Sequence, residues 1–143
     1  MDLIINQLSK ILADTYTFYL KTQNYHWHVT GPNFKELHDL FEVQYNDLAI
    51  AVDDVAERIR IKGFKAPATL KEFENLRSLQ DGNSELTSNK MLDDIHNDHL
   101  AIVKLLNQSI IIAAEQHDEG TIALLSERIA THEKMAWMIL SSK

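Results

Sequence analysis

Apolar residues recur every three or four positions along most of the chain, the period of helices that bury one face. The set Leu3, Ile4, Leu8, Ile11, Leu12 and Phe18 marks a first helix that Asp2 can cap and that ends near Val29, before Gly31-Pro32. Phe34, Leu37, Phe41, Tyr45, Leu48, Val52, Val55 and Ile59 carry a second helix to about Lys62; Asn33 with Glu36 three residues on predicts a capping box at its start, and Gly63 a stop at its end. Thr69-Leu70-Lys71-Glu72 reads as another capping box, opening a short helix to about Leu76 inside an otherwise polar connection. A third helix starts between Ser84 and Ser88 and carries Met91, Ile95, Ile102, Leu106 and Ala113 to about Gln116. Asp118 to Gly120 read as a turn, and Ile122, Leu125, Ile129, Met135 and Leu140 mark the fourth helix. Four long amphipathic helices without a strand pattern predict an all-α four-helix bundle, with a short extra helix between helices 2 and 3.

With 143 residues, four glycines and two prolines there is little material for linkers, so residues 1–143 read as one domain. The absence of cysteine excludes disulfides and thiol catalysis. The longest apolar run, Ile110 to Ala114, is far short of the roughly eighteen residues of a membrane span, and Met1-Asp2 opens without a basic leader, so a cytoplasmic location is expected. A net charge of −7 argues against a general nucleic-acid surface and suits attraction of cations.

The chemistry concentrates on helix 2. His38 and Glu42 stand four residues apart, as do Asp53 and Glu57, so each pair presents two metal-ligand types on one helical face. The pairs share roughly one side of the helix, yet Glu42 and Asp53 are separated by about 16 Å along its axis, whereas ligand atoms sit about 2 Å from a metal. One chain cannot close such a site. Either the helix bears two unrelated half-sites, or a two-fold axis near Asp47 and Leu48 lays an antiparallel copy alongside. The second arrangement sets Glu42 opposite the partner's Asp53 and His38 opposite the partner's Glu57, and completes the site twice. His26, from the preceding helix, can add a second imidazole.

His26-Trp27, Gly31-Pro32-Asn33-Phe34, His38, Glu42, Asp53 and Ala56-Glu57-Arg58 together resemble the long motif of the DNA-protection-during-starvation proteins, the Dps miniferritins. That resemblance covers nearly the whole chain, since the bundle and its short crossing helix also match. It implies a ferroxidase and iron-storage protein: a hollow dodecamer that oxidises Fe(II) with hydrogen peroxide or dioxygen at a centre between two subunits, storing ferric mineral and limiting oxidative damage. It assigns His26, His38, Glu42, Asp53 and Glu57 as iron ligands, with zinc a possible substitute, and places Trp27 as a nearby electron donor. Glu42 stands where many members carry aspartate, which keeps the carboxylate on a longer arm. Near the last helix the resemblance puts acidic residues at pores; Glu119 falls near one such position, while Ala123 stands where another acid is common.

A DNA-coating or other partner-binding protein with a structural metal site is the alternative class. Family members that coat DNA often use a Lys-rich terminal arm, which neither Met1-Asp2-Leu3-Ile4 nor Ser141-Ser142-Lys143 supplies, so direct DNA binding is not expected. A zinc-binding structural bundle would use the same ligands, and peroxide consumption separates it from a ferroxidase because zinc has no redox chemistry. His96, His99, His117 and His132 lack the Glu-x-x-His pattern of a metal held within one bundle and are expected to be exposed or structurally hydrogen-bonded. Tyr16, Tyr19 and Tyr25 read as packing residues, and Trp27, apart from the family role, as a core or interface aromatic.

Overall fold

Asp2 accepts a hydrogen bond from the Ile4 amide at 3.0 Å and caps α1 (Leu3–His28), which begins a structure made only of helices among the described residues. The structure, a computed structural model, describes residues 2–143. The remaining elements are α2 (Phe34–Ile61), the short α3 (Leu70–Leu76), α4 (Ser88–Glu115) and α5 (Glu119–Leu140). α1 packs on α2 and α4 on α5 as two hairpins; α1 also packs against α4, and α3 lies across α1. Phe18 and Tyr25 from α1, Phe41 and Leu48 from α2, Met91 and Ile95 from α4, and Leu125 and Ile139 from α5 fill one continuous core. This is the four-helix bundle with an extra crossing helix that the periodicity predicts. No helix among the described residues is long and apolar enough to cross a membrane.

Most helix ends follow their capping residues. Thr69 Oγ1 accepts from the Glu72 amide at 3.1 Å, while the Glu72 carboxylate takes the Ala68 amide at 3.2 Å, so the expected box closes one residue further back than the standard pattern. Thr87 accepts from the Lys90 amide and fixes the start of α4. Two expectations need correction. Asn33 makes no side-chain cap bond, so no box forms with Glu36; the start of α2 is held instead by the turn bond from the Phe34 amide to the Gly31 carbonyl. Asp118 to Gly120 are not a free turn: Asp118 is the N-cap and α5 begins at Glu119, leaving Gly120 in the first turn.

The α2 and α4 ends share one device. Gly63, with φ of 91°, returns its amide to Arg60 while the Phe64 amide reaches Ile59, the paired bonds of a Schellman motif. After α4 the same two bonds run from His117 to Ala114 and from Asp118 to Ala113, but the left-handed residue is His117, with φ of 54°. A Cβ is strained there, so His117→Gly is expected to stabilise the fold by about 0.5 kcal/mol, the relief exceeding the extra unfolded-chain entropy of glycine. The urea midpoint should rise at unchanged slope; a lowered midpoint would mean that the imidazole makes a stabilising contact outweighing the strain.

The crossing connection is anchored by a buried acid. Asp14 on α1 accepts hydrogen bonds from the amides of Ser78 and Leu79 at 2.7 and 3.0 Å and from the Ser78 hydroxyl at 2.7 Å. Nearby, buried Lys21 bridges Asp98 at 2.8 Å and Asp94 at 3.3 Å, and Tyr25 donates its hydroxyl to Asp94 at 2.5 Å, so this tyrosine is the satisfied packing residue expected.

Candidate metal centre

The short α1–α2 connection brings His26, in the last turn of α1, against His38, in the second turn of α2. Their rings stack at 3.8 Å between centroids and 17° between planes. Each imidazole bonds the backbone of the other's residue: His26 Nδ1–H donates to the His38 carbonyl and His38 Nδ1–H to the His26 carbonyl, both at 2.7 Å. A carbonyl can only accept, so Nδ1 carries a proton in both rings, and in the neutral imidazole it is Nε2 that keeps the lone pair. This outer-shell arrangement fixes the tautomer of an imidazole that binds metal through its other nitrogen. Phe34 stacks on His38 at 5.1 Å, and the Tyr45 ring meets His26 edge-on at 5.2 Å, so both imidazoles are held from two sides.

Glu42 follows His38 by one turn, and Asp53 and Glu57 lie one turn apart further along. Leu37, Phe41, Leu48, Val55 and Ile59 turn one face of α2 to the core, while Glu42, Asp53 and Glu57 are exposed on the opposite face and His38 lies at its edge. Asp53 and Glu57 interact with each other: the hydrogen bond that a protonated Glu57 can donate to Asp53, and then the Asp53 charge, push the Glu57 carboxyl above its usual range. Two carboxylates held this close repel each other, and a cation between them relieves that repulsion. Among the described residues no three His, Asp or Glu side chains converge to hold a metal within one chain.

A role for Arg58, beside Glu57, has no counterpart in the spacing argument. Its guanidinium donates to Asp118 at 2.8 Å and to the Thr121 hydroxyl at 3.0 Å, and Lys62 pairs with Asp118 at 2.7 Å. Burial pushes the Asp118 carboxyl up, but its bonds from Lys62, Thr121 and Arg58 outweigh this and hold it well below the usual carboxylate range. A Cβ at Gly120 would come within 2.7 Å of the guanidinium, so a larger residue there would push Arg58 aside in this clasp between the end of α2 and the start of α5. Asp118 is thereby a cap and ion-pair partner.

Trp27 is 60% exposed in the single chain, which removes the core reading for it. Of the five histidines outside the proposed centre, the four read as exposed or structurally hydrogen-bonded, His96, His99, His117 and His132, are so placed. His117 is exposed and His96 half-exposed, whereas His99 and His132 are buried in a chain of hydrogen bonds through the bundle middle. Arg128 pairs with Asp47 at 2.9 Å and donates to His132 Nε2 at 3.0 Å; His132 Nδ1 meets His99 Nδ1 at 3.0 Å, and His99 Nε2 meets Gln44 Oε1 at 2.9 Å. Only one protonation pattern satisfies every contact: both rings neutral, with His132 donating to His99 and His99 to Gln44. Burial, with the Arg128 charge second, pushes His99 down to about 3 and His132 well below its usual value. The lone pairs here are spent within the protein. Nothing in the sequence marks the Nδ1 bonds of His26 and His38 or the Tyr45 contact, because they depend on how α1 meets α2 rather than on spacing along one helix.

A sequence profile of the ferritin-like domain family matches residues 5–141. The chain is 36% identical over 136 residues to DNA protection during starvation protein 2 of Bacillus anthracis, covering 95% of this chain and 93% of that relative. Its fold is similar to the crystal structure of a Dps protein from Bacillus brevis, with a TM-score of 0.95 and 31% identity over 97% of this chain and 93% of that one. It is also similar to a Dps protein from Vibrio cholerae O1, described as a member of a broad superfamily of ferritin-like diiron-carboxylate proteins, with a TM-score of 0.93 and 28% identity over 96% and 87% of the two chains.

Proposed function

Since this chain belongs to the Dps proteins of the ferritin-like domain family, we propose that it is a ferroxidase and iron-storage protein whose centre lies between two subunits of a hollow dodecamer. The observation that carries this reading is the pair of imidazoles, His26 and His38, each locked through Nδ1 so that its Nε2 is free, one turn from Glu42. Iron is the substrate. Imidazole holds the ferrous ion and carboxylate oxygens favour the ferric product, so this mixed donor set binds before oxidation and drives it. Two ferrous ions side by side supply both electrons that hydrogen peroxide needs to become two hydroxides, with no hydroxyl radical released. The same ligands would bind zinc, which can occupy the centre but not turn over.

An antiparallel neighbour supports the two halves of the site and also resolves an exposed apolar surface. The register that sets His38 opposite the partner's Glu57, and Glu42 opposite the partner's Asp53, lays the partner along the outward side of α2, which Val43 and Ile50 share. Val43 and Ile50 are 66% and 65% exposed in the single chain, and a partner would cover them. Trp27 lies beside the centre in this arrangement, and Glu119 is the acid left free to line a pore. With −7 on every chain, the assembled shell is expected to draw in ferrous ions rather than bind duplex DNA.

His26→Ala with His38→Ala is expected to slow the initial rate of Fe(II) oxidation by peroxide at least tenfold, roughly the loss that disturbing a metal site causes. Stopped-flow absorbance gives the rate, and far-UV circular dichroism separates loss of ligands from loss of fold, since both rings also tie α1 to α2. An unchanged rate in a folded variant would remove these residues from the centre.

A further inference from the structure

Three tyrosines lead away from the proposed centre in an unbroken series of ring contacts. Tyr45 meets His26 at 5.2 Å, Tyr19 meets Tyr45 at 5.9 Å, and Tyr16 meets Tyr19 at 6.1 Å, each pair close to edge-on, with angles of 68°, 68° and 63°. At such separations aromatic rings touch, so an electron moves between neighbours without crossing a gap of saturated atoms. All three are half-buried, and Gln23 donates to the Tyr19 oxygen at 3.4 Å, a bond that a phenoxyl oxygen can keep. Tyr16 ends the series: it stacks on Phe73 at 4.9 Å and lines two cavities, of about 220 and 370 Å3, on either side of that stack. Tyr25 stands apart, its hydroxyl committed to Asp94. With no cysteine in the chain, phenols next to the centre are prime candidates to give up an electron.

We propose that Tyr45, Tyr19 and Tyr16 form a relay that carries an oxidising equivalent from a half-loaded ferroxidase centre to the cavities beside α3. The proposal rests on the ferroxidase reading above. When only one ferrous ion is bound, peroxide lacks its second metal electron. It then takes one electron from the ferrous ion and one electron with the phenolic proton from Tyr45. The O–O bond breaks, and the products are Fe(III), a neutral tyrosyl radical, hydroxide and water, in place of Fe(III), hydroxide and a free hydroxyl radical. Hydrogen-atom equivalents then pass from Tyr19 to Tyr45 and from Tyr16 to Tyr19. At Tyr16 a small hydrogen-atom donor, of the enediol class to which ascorbate belongs, restores the phenol and leaves as its own radical.

The test loads the assembled protein with less than one ferrous ion per centre, adds peroxide, and reads radicals by freeze-quench electron paramagnetic resonance. A nitroso spin trap followed by peptide mass spectrometry locates them. The parent protein should give a tyrosyl signal and labelled Tyr16, both diminished by ascorbate. In Tyr19→Phe, which keeps the ring packing but cannot carry the radical, labelling of Tyr16 should be lost while two-iron ferroxidation proceeds at the parent rate. Equal labelling of Tyr16 in Tyr19→Phe, or no tyrosyl signal in a parent that oxidises iron normally, overturns the relay. A parent that oxidises no iron at all overturns the ferroxidase reading, and the relay falls with it.

Discussion

A chain lacking His38 and Glu42 and a chain lacking Asp53 and Glu57 should each be inactive alone, yet recover about a quarter of parent activity when equal amounts are dissociated and reassembled together. The arithmetic follows from an isologous interface. Each two-fold pair contains two centres, each built from the His38 half of one subunit and the Glu57 half of the other. In a mixed pair one centre keeps all its ligands while the other loses four. Random mixing makes about half of the pairs mixed, and half of the centres in those are whole. The alanines replace His38 at the edge of the outward face of α2 and three exposed acids, so the core should tolerate them. Ferrous oxidation, measured after native mass spectrometry confirms mixed assemblies, gives the answer. Co-assembly with no recovered activity would mean that the centre does not span two chains.

Acid should destabilise the bundle from within before it titrates most surface carboxylates. His99 and His132 are neutral in the folded chain, His99 with its pKa pushed down to about 3, whereas an unfolded histidine titrates near about 6.5. The sign follows: above about pH 6.5 neither state is protonated and the full stability is present; below it the unfolded chain binds protons that the folded chain refuses, so stability falls until the folded pKa is reached. Each histidine costs about 1.4 kcal/mol per pH unit across that range. Asp98, whose carboxyl burial pushes up to about 6, works the other way, because the folded chain then takes its proton first and gains stability as pH falls from that value. Two histidines outweigh one carboxyl. Denaturant midpoints between pH 7 and 4.5 should therefore drop steeply in the parent and much less in His99→Gln, His132→Gln, where amides can hold the Arg128-to-Gln44 connection without titrating. An equal slope in that variant would place the acid sensitivity elsewhere.

The helices and their order were legible because each long helix repeats its apolar residues at helical period, and Asp2, Thr69 and Gly63 mark their own ends. Asn33 misled because its spacing to Glu36 matches a capping box while its φ of −103° and ψ of 25° hold it out of the extended conformation usual for a cap. That one chain holds Glu42 and Asp53 too far apart to share a metal was also legible, since it needs only the rise of one helix. What could not be read are contacts between elements: the crossed Nδ1 bonds of His26 and His38, the Arg58 clasp over Gly120, and the His99 to His132 chain. Each depends on residues distant in sequence, and no periodicity along one helix encodes where a side chain of another will end.

The crossed bonds between His26 and His38 also set how the chain can change in length. Both bonds reach over the connection at residues 29–33, and both require α1 and α2 to keep their present register. One residue added there or removed would shift His38 relative to His26, break the two bonds together, and release both imidazoles to either tautomer. The connection at residues 62–87 is longer, and its fixed points are Asp14 against Ser78 and Leu79 and the caps of α3 and α4. Insertions between those points leave the hairpin untouched. Length variation among proteins built on this plan should therefore collect between α2 and α4, and the α1–α2 connection should vary in residue type but hold its length.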